Sequence, residues 1–143
     1  MTSPSVALEK GLPSNVDAER LVLGSILLDD TCFIDVAAQL KPDDFCLDKH
    51  RRIYRRMNDL HERGERIDRI MLANELMRFN ELESVDGLSY LVSLDDGLPR
   101  LPNLSGYLKT IRDKATLRRI VGAANALMTR ALMACLLYTS RCV

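Results

Sequence analysis

Hydrophobic side chains recur at every third or fourth position along most of the chain, which is the spacing of amphipathic helices. Ala18 and Val22 open the first of these helices, and Asn15 or Asp17 can cap it. Residues 1–13 carry Ser, Pro and Gly without a sustained period, so we expect a flexible N-terminal arm there. The pattern predicts an all-α fold that starts after this arm.

Residues 14–96 are expected to form a compact helical head of about five helices. Pro42 should end the second helix, because the residue before a proline avoids helical geometry. Asp48 is predicted to cap the third helix and Gly64 to end it, while Asp68 is predicted to cap the fourth.

One long helix is expected over residues 104–133, after a linker at 97–103 that contains a glycine and two prolines. The apolar spacing from Leu104 to Met128 alone spans about seven turns and a length of about 40 Å. The helix would outreach a small head, so part of its apolar stripe should pack against something outside this chain.

Charge and cysteine usage narrow the class of protein. Twenty Lys and Arg side chains balance twenty Asp and Glu side chains, so the chain lacks the positive excess of a protein that holds DNA by its phosphates alone. The four cysteines are irregularly spaced, and with no signal peptide in view they indicate a reducing cytoplasm. The longest apolar runs, such as 21–28 and 131–137, are shorter than the about 20 residues that cross a bilayer. We therefore expect a soluble cytoplasmic protein.

The sequence offers no candidate catalytic, cofactor-binding or metal-binding residue. A P-loop needs a glycine-rich turn followed by lysine, and no Gly-Lys dipeptide occurs in the chain. His50 and His61 stand three helical turns apart, too far to share a metal, and are predicted to face solvent. Paired aspartates fall at element boundaries, where aspartate commonly serves as a cap or turn residue.

The strongest candidate for contact with phosphate or a protein partner is a cluster of arginines on the third helix: Arg51, Arg52, Arg55 and Arg56. Carboxylates stand four residues from several cations, as in Asp48 with Arg52, Arg55 with Asp59 and Glu62 with Arg66. Only Tyr54 is interleaved, so no platform for stacking bases is present. A solvated, internally paired helix face is the favoured interpretation.

Seven blocks in a fixed order connect the chain to a known family: 12–15 with Ala18–Leu28, Leu40–Phe45, His50–Tyr54, Gly64 with Ile67–Asp68, Gly87–Leu91, Asn103 with Tyr107, and Leu117–Arg119. In these blocks the chain resembles the N-terminal domain of DnaB-type replicative DNA helicases, over roughly residues 12–133 and without the motor domain.

The resemblance implies a role in assembly. In that family a helical head is followed by a helical hairpin, and six copies form a collar above an ATPase ring that uses ATP and magnesium. The resemblance therefore implies three kinds of partner: other copies of the chain, primase and a helicase loader. In that family DNA is contacted mainly by the motor domain. By this likeness, 104–133 is the first hairpin arm, and its candidate interface residues are Tyr107, Leu108, Ile111, Leu117, Val121, Ala124 and Met128.

Gly24 lies inside the first predicted helix, where glycine costs about 1 kcal/mol relative to alanine. We therefore predict that a neighbouring helix crosses closely at this position.

The last ten residues, 134–143, depart from the family pattern. They are apolar, contain two of the four cysteines and lack a cap, where an acidic turn and the second hairpin arm should follow. We expect this tail to reflect a truncation or unrelated sequence. Two alternatives to a helicase fragment stay open: a stand-alone helical adaptor that binds a helicase or primase, and a DNA-binding protein that uses the Arg51–Arg56 cluster.

Overall fold

The computed structural model describes residues 11–98 and 103–141, without the side chains of 138–141. Most of the predicted arm (residues 1–10) and the middle of the predicted linker (99–102) lie outside the described residues. The described part is helical and contains no strand; its six α-helices are α1 (Val16–Leu28), α2 (Phe33–Ala37), α3 (Asp48–Glu62), α4 (Arg69–Arg78), α5 (Gly87–Leu94) and α6 (Leu104–Arg141). The predicted all-α class, with about five short helices before one long helix, is confirmed.

Side-chain caps determine where two of the helices begin. The Asn15 side-chain oxygen accepts a hydrogen bond from the Ala18 amide at 3.0 Å, at the start of α1. The Asp68 carboxylate accepts one from the Met71 amide at 2.8 Å, at the start of α4. The predicted caps at Asn15 and Asp68 are therefore confirmed.

The limits of α2 and α3 differ in part from the prediction. Leu47 is the N-cap of α3, and Asp48 lies inside the helix, where its carboxylate accepts a hydrogen bond from Arg52 at 2.6 Å. The predicted cap at Asp48 is wrong because Leu47 has the extended backbone of the N-cap position and its carbonyl accepts the first helical bond, from the Arg51 amide at 3.1 Å. α2 ends at Ala37, well before Pro42. Gly64 follows the end of α3 with φ +72°, as predicted for the left-handed position after a helix.

Aromatic rings lie at the centre of the hydrophobic core. The ring of Tyr54 lies 5.7 Å from that of Phe33 and 4.9 Å from that of Phe45, measured between centroids. Its hydroxyl donates a hydrogen bond to the Leu40 carbonyl at 3.0 Å. Burial, together with the charge of Asp44, raises the pKa of Tyr54 to about 12. The tyrosine therefore keeps its proton and serves as a hydrogen-bonded core residue.

The first turns of α6 belong to the same core. Leu108 and Ile111 are 1% and 2% exposed and pack with the buried residues of α1 to α5. The compact unit accordingly runs from Ser14 to Ala115, beyond the predicted head boundary at residue 96.

The close crossing predicted at Gly24 is confirmed. A Cβ at this position would lie 2.5 Å from the Leu98 side chain and would overlap the carbonyl oxygen of Leu94, the last residue of α5. One turn earlier on α1, the Arg20 guanidinium donates to the Ser93 carbonyl at 3.4 Å, which satisfies an acceptor at the end of α5. Gly24 leaves the space for the end of α5 to pack against α1, and Arg20 forms a hydrogen bond with that end.

α6 contains 38 residues, which corresponds to about 57 Å, and continues past the predicted end at Met133. From Thr116 onward it belongs to a second unit, which also includes residues 11–13. Within that unit the Arg118 guanidinium donates a hydrogen bond to the Pro13 carbonyl at 2.8 Å.

Candidate interaction surface

From Leu117 onward, α6 exposes many large apolar side chains. Eight of them are between 44% and 68% exposed, and we call them the apolar surface of α6: Leu117, Ile120, Leu127, Met128, Leu132, Met133, Leu136 and Leu137. Contiguous exposed apolar patches on soluble proteins commonly mark sites of protein association. This surface is therefore the leading candidate for contact with a partner.

The seven predicted interface residues fall into two groups. Leu108 and Ile111 are buried in the head core, so these two side chains serve the fold instead of facing a partner. Tyr107 is half-buried against the same core and stays a predicted interface position. The periodicity that identified them is real, but it continues from a buried stretch of helix into an exposed one. The others, exposed or half-buried, keep their place as predicted interface positions: Leu117, Val121, Ala124 and Met128.

By length and composition alone, α6 is apolar enough to cross a membrane. Its mean hydropathy reaches 1.7 over an 18-residue window, none of which is buried. The prediction from sequence considered only uninterrupted apolar runs and therefore did not find a segment long enough to cross a bilayer, because Arg130 divides the apolar part of α6 in two. The same composition suits a helix that packs on a protein partner, so composition does not decide between the two environments.

Each arginine of the predicted contact cluster has a carboxylate partner. Arg52 pairs with Asp48 at 2.6 Å and with Glu81 at 3.3 Å, and the hydrogen bond from Arg52 lowers the pKa of Asp48. Arg51 lies 3.7 Å from the Asp48 carboxylate. These contacts hold much of the positive charge near carboxylates of the head itself.

The remaining two arginines of the cluster reach partners that the four-residue spacing did not predict. Arg55 pairs with Asp43 at 3.4 Å, whereas the predicted partner Asp59 pairs with Arg56 at 2.9 Å. The Arg56 guanidinium also lies 3.8 Å from the ring centroid of Phe79. The predicted pairing of Glu62 with Arg66 is replaced as well, since Arg66 lies 3.7 Å from the carboxylate of Asp30.

His50 is buried, and its predicted exposure is wrong. Its Nδ1 lies 2.5 Å from a carboxylate oxygen of Glu19, which is itself 1% exposed, and its Nε2 lies 2.7 Å from the Tyr90 hydroxyl. The second carboxylate oxygen of Glu19 accepts a hydrogen bond from the Cys46 amide at 2.6 Å. This polar chain joins α1, α3 and α5 inside the head.

Helical spacing could have identified the buried polar contact between Glu19 and His50. Glu19 stands three residues before Val22 and four before Leu23, both fully buried, so it falls on the inward face of α1. His50 likewise precedes the buried Ile53 by three residues. A charged residue on an inward face needs a polar partner, and that requirement points to a buried pair.

An ion pair with two hydrogen bonds joins α4 to the residues that follow α3. Arg63 donates to both carboxylate oxygens of Glu75 at 2.8 Å, in a two-bonded arrangement. These bonds lower the pKa of Glu75 and raise that of Arg63. The pair lies on the rim of an open depression of about 590 Å³, which is also lined by Arg56, Arg78 and Phe79.

No three His, Cys, Asp or Glu side chains in the described part of the chain lie close enough to hold a metal ion. Burial, followed by the charge of Asp29, raises the pKa of the Cys32 thiol to about 11, so its thiolate is scarce at neutral pH.

A helical head that continues into a long helix with an exposed apolar surface has the architecture of an interaction domain. Residues 11–113 match the family described as the DnaB-like helicase N-terminal domain, and the chain belongs to that family. It is 36% identical over 115 residues to the replicative DNA helicase DnaC of Bacillus subtilis, and 32% identical over 115 residues to the replicative DNA helicase DnaB of Geobacillus stearothermophilus. Each match covers 80% of this chain but 25% of the relative.

Solved structures agree with the family assignment. The N-terminal domain of DnaB helicase from Mycobacterium tuberculosis superposes with a TM-score of 0.82 at 33% identity, covering 86% of this chain and 88% of the other. The N-terminal domain of DnaB helicase from Helicobacter pylori, a structure described together with its interactions with primase, gives a TM-score of 0.71 at 22% identity and covers 91% of this chain and 98% of the other. The second likeness shows the shared fold.

Proposed function

We propose that this chain is the assembly and partner-docking domain of an ATP-dependent replicative helicase that unwinds DNA at replication forks. The observation that carries the proposal is the family match over residues 11–113, which corresponds to about a quarter of the length of curated replicative helicases. ATP and magnesium would then act in a motor domain, which also makes the main contacts with DNA. The expected site of action is the cytoplasm.

Self-association is the first part of the proposed role. The eight side chains of the apolar surface of α6 are each at least 44% exposed and lie around much of the helix, and in a six-membered collar they would pack on a second hairpin arm or on a neighbouring copy. Leu117, Val121, Ala124 and Met128 are the proposed contact positions.

Light scattering of the purified chain tests this part. The monomer mass is 16.1 kDa, and we expect the measured mass to exceed it and to rise with protein concentration. The double variant Leu127→Ser with Met128→Ser should remain monomeric, because it removes apolar side chains from the centre of the surface. Ile70→Ser, at a 73%-exposed position on α4, is the matched control and should associate like the unmodified chain. A constant mass of 16.1 kDa at every concentration would refute self-association.

Primase docking is the second part, supported by the Helicobacter pylori domain whose described interactions include primase. A helicase loader is a further proposed partner, by resemblance to the family. Titrating the chain with purified primase in a calorimeter should give saturable heat. An absence of heat at primase concentrations of about 100 µM would contradict docking through this part of the helicase alone.

A further inference from the structure

The neutral total charge of the chain conceals a strong separation of charge. Residues 14–98 carry 18 Asp and Glu against 11 Lys and Arg, a net charge of −7. Residues 104–141 carry 7 Lys and Arg against 1 Asp, a net charge of +6. A molecule built in this way can use one region to attract the other region of a second copy.

The acidic excess of the head includes two carboxylates beside one depression. Asp17, in the first turn of α1, and Asp96, just after α5, are exposed, and neither forms an ion pair among the described residues. Both line a depression of about 240 Å³ together with Arg20, Leu21, Leu94 and Leu98. The two carboxylates outnumber the one cation there, so the depression suits cationic side chains with an aliphatic stem.

The basic excess of α6 begins on its second turn. Lys109 and Arg112 are exposed, stand three residues apart on one helix face, and form no ion pair within the described part of the chain. The packing of Leu108 and Ile111 into the core holds this part of the helix in place. Two cations are therefore presented on a helix whose position is fixed by the head core.

We propose that Lys109 and Arg112 of one copy bind the carboxylates of Asp17 and Asp96 on a second copy. The inference rests on the self-association proposed above and adds a charged contact to the apolar one. We favour a second copy as the partner because its Lys109 and Arg112 supply positive charge to a depression that combines two carboxylates with apolar side chains. A nucleic acid would instead be repelled by the net negative charge of the head. Close ion pairs of this kind determine register and association rate more than affinity.

Charge exchange tests the pairing. The basic-side variant is Lys109→Glu with Arg112→Glu, and the acidic-side variant is Asp17→Lys with Asp96→Lys. Each alone should weaken self-association of the full chain about tenfold at about 50 mM salt, and an equimolar mixture of the two should recover it. Recovery requires the two surfaces to meet between copies. The matched control is Lys41→Glu with Arg66→Glu, which changes the net charge equally at exposed head positions and should leave association unchanged.

The outcomes separate this contact from self-association as such. Suppose that Leu127→Ser with Met128→Ser abolishes association, while the basic-side and acidic-side variants leave it unchanged. The proposed function would then stand, and the charged contact would be overturned. Weakening by all three charge variants alike would also overturn it, because net charge would then be the cause. Binding of a single-stranded oligonucleotide that is lost in the basic-side variant, without any change in self-association, would assign Lys109 and Arg112 to nucleic acid instead.

Discussion

At the scale of single residues, Gly24 has the sharpest structural requirement. Its missing side chain allows the Leu94 carbonyl of α5 to lie against the backbone of α1. A methyl group there would force the two helices apart, since the obstacle is backbone instead of a flexible side chain.

We expect Gly24→Ala to lower the free energy of unfolding by about 1–3 kcal/mol, despite the better helix propensity of alanine. Gly122→Ala is the matched control, because nothing lies within 4 Å of a Cβ built at that position of α6. That change should stabilise the chain by up to about 1 kcal/mol. Urea unfolding of both variants measures the difference, and equal stabilities would show that the close crossing has no energetic consequence.

His50 is the second residue whose environment sets a measurable effect. His50→Ala removes the ring that connects Glu19 to Tyr90 and leaves a buried carboxylate with the Cys46 amide as its remaining partner. We expect a loss of about 3–5 kcal/mol in the free energy of unfolding. His61→Ala, at an exposed position of the same helix, should cost less than about 1 kcal/mol. Equal effects in thermal or urea unfolding would contradict a structural role for the buried chain.

At the scale of helices, the pair formed by Arg63 and Glu75 makes the stability of the head depend on pH. Hydrogen bonds from Arg63 lower the pKa of Glu75 below its usual value of 4.5. A carboxyl whose pKa is lowered by folding stabilises the folded state above its unfolded pKa. That contribution is lost as the pH falls through the lowered value.

Glu75→Gln should therefore melt below the unmodified chain at about pH 7, and the difference should shrink as the pH falls to about 3. Glu65→Gln is the control: its carboxylate also accepts from Arg63, at 3.2 Å, but its side chain is 38% exposed. This exposed pair should give a small difference at either pH. A difference between Glu75→Gln and the unmodified chain that stays constant across this pH range would contradict the linkage.

Local interactions explain how far the helices could be predicted from sequence. The caps at Asn15 and Asp68 bond to amides three residues away, so the residues that make them are visible in the sequence. The presence of one long helix at this end of the chain follows in the same way from the spacing of its apolar residues.

Partners that are distant in sequence could not be predicted in this way. Arg55 pairs with Asp43 across a turn, and His50 meets Glu19 from another helix, 31 residues away. The boundary between buried and exposed turns of α6 also depends on where the head ends in space. Periodicity alone therefore assigned Leu108 and Ile111 to the same interface as Met128.

At the scale of the whole molecule, the head ends inside α6 and not at the linker. Leu108 and Ile111 bury their side chains almost fully in the head core, and each contributes about 1.5–3 kcal/mol when buried. A chain that ends after Ala115 keeps both residues, whereas one that ends after Asn103 loses both.

We therefore expect the chain that ends after Ala115 to unfold cooperatively, with a midpoint close to that of the full chain. The chain that ends after Asn103 should be less stable by about 3–6 kcal/mol, which is a large part of the stability of a domain of this size. Circular dichroism during thermal unfolding measures both midpoints. Light scattering on the longer truncation adds a second readout, because it retains the head but lacks the apolar surface of α6 from Leu117 onward. The chain that ends after Ala115 should therefore fold but fail to form the apolar contact. If the two truncated chains were equally stable, the head boundary would lie at the linker instead of inside α6.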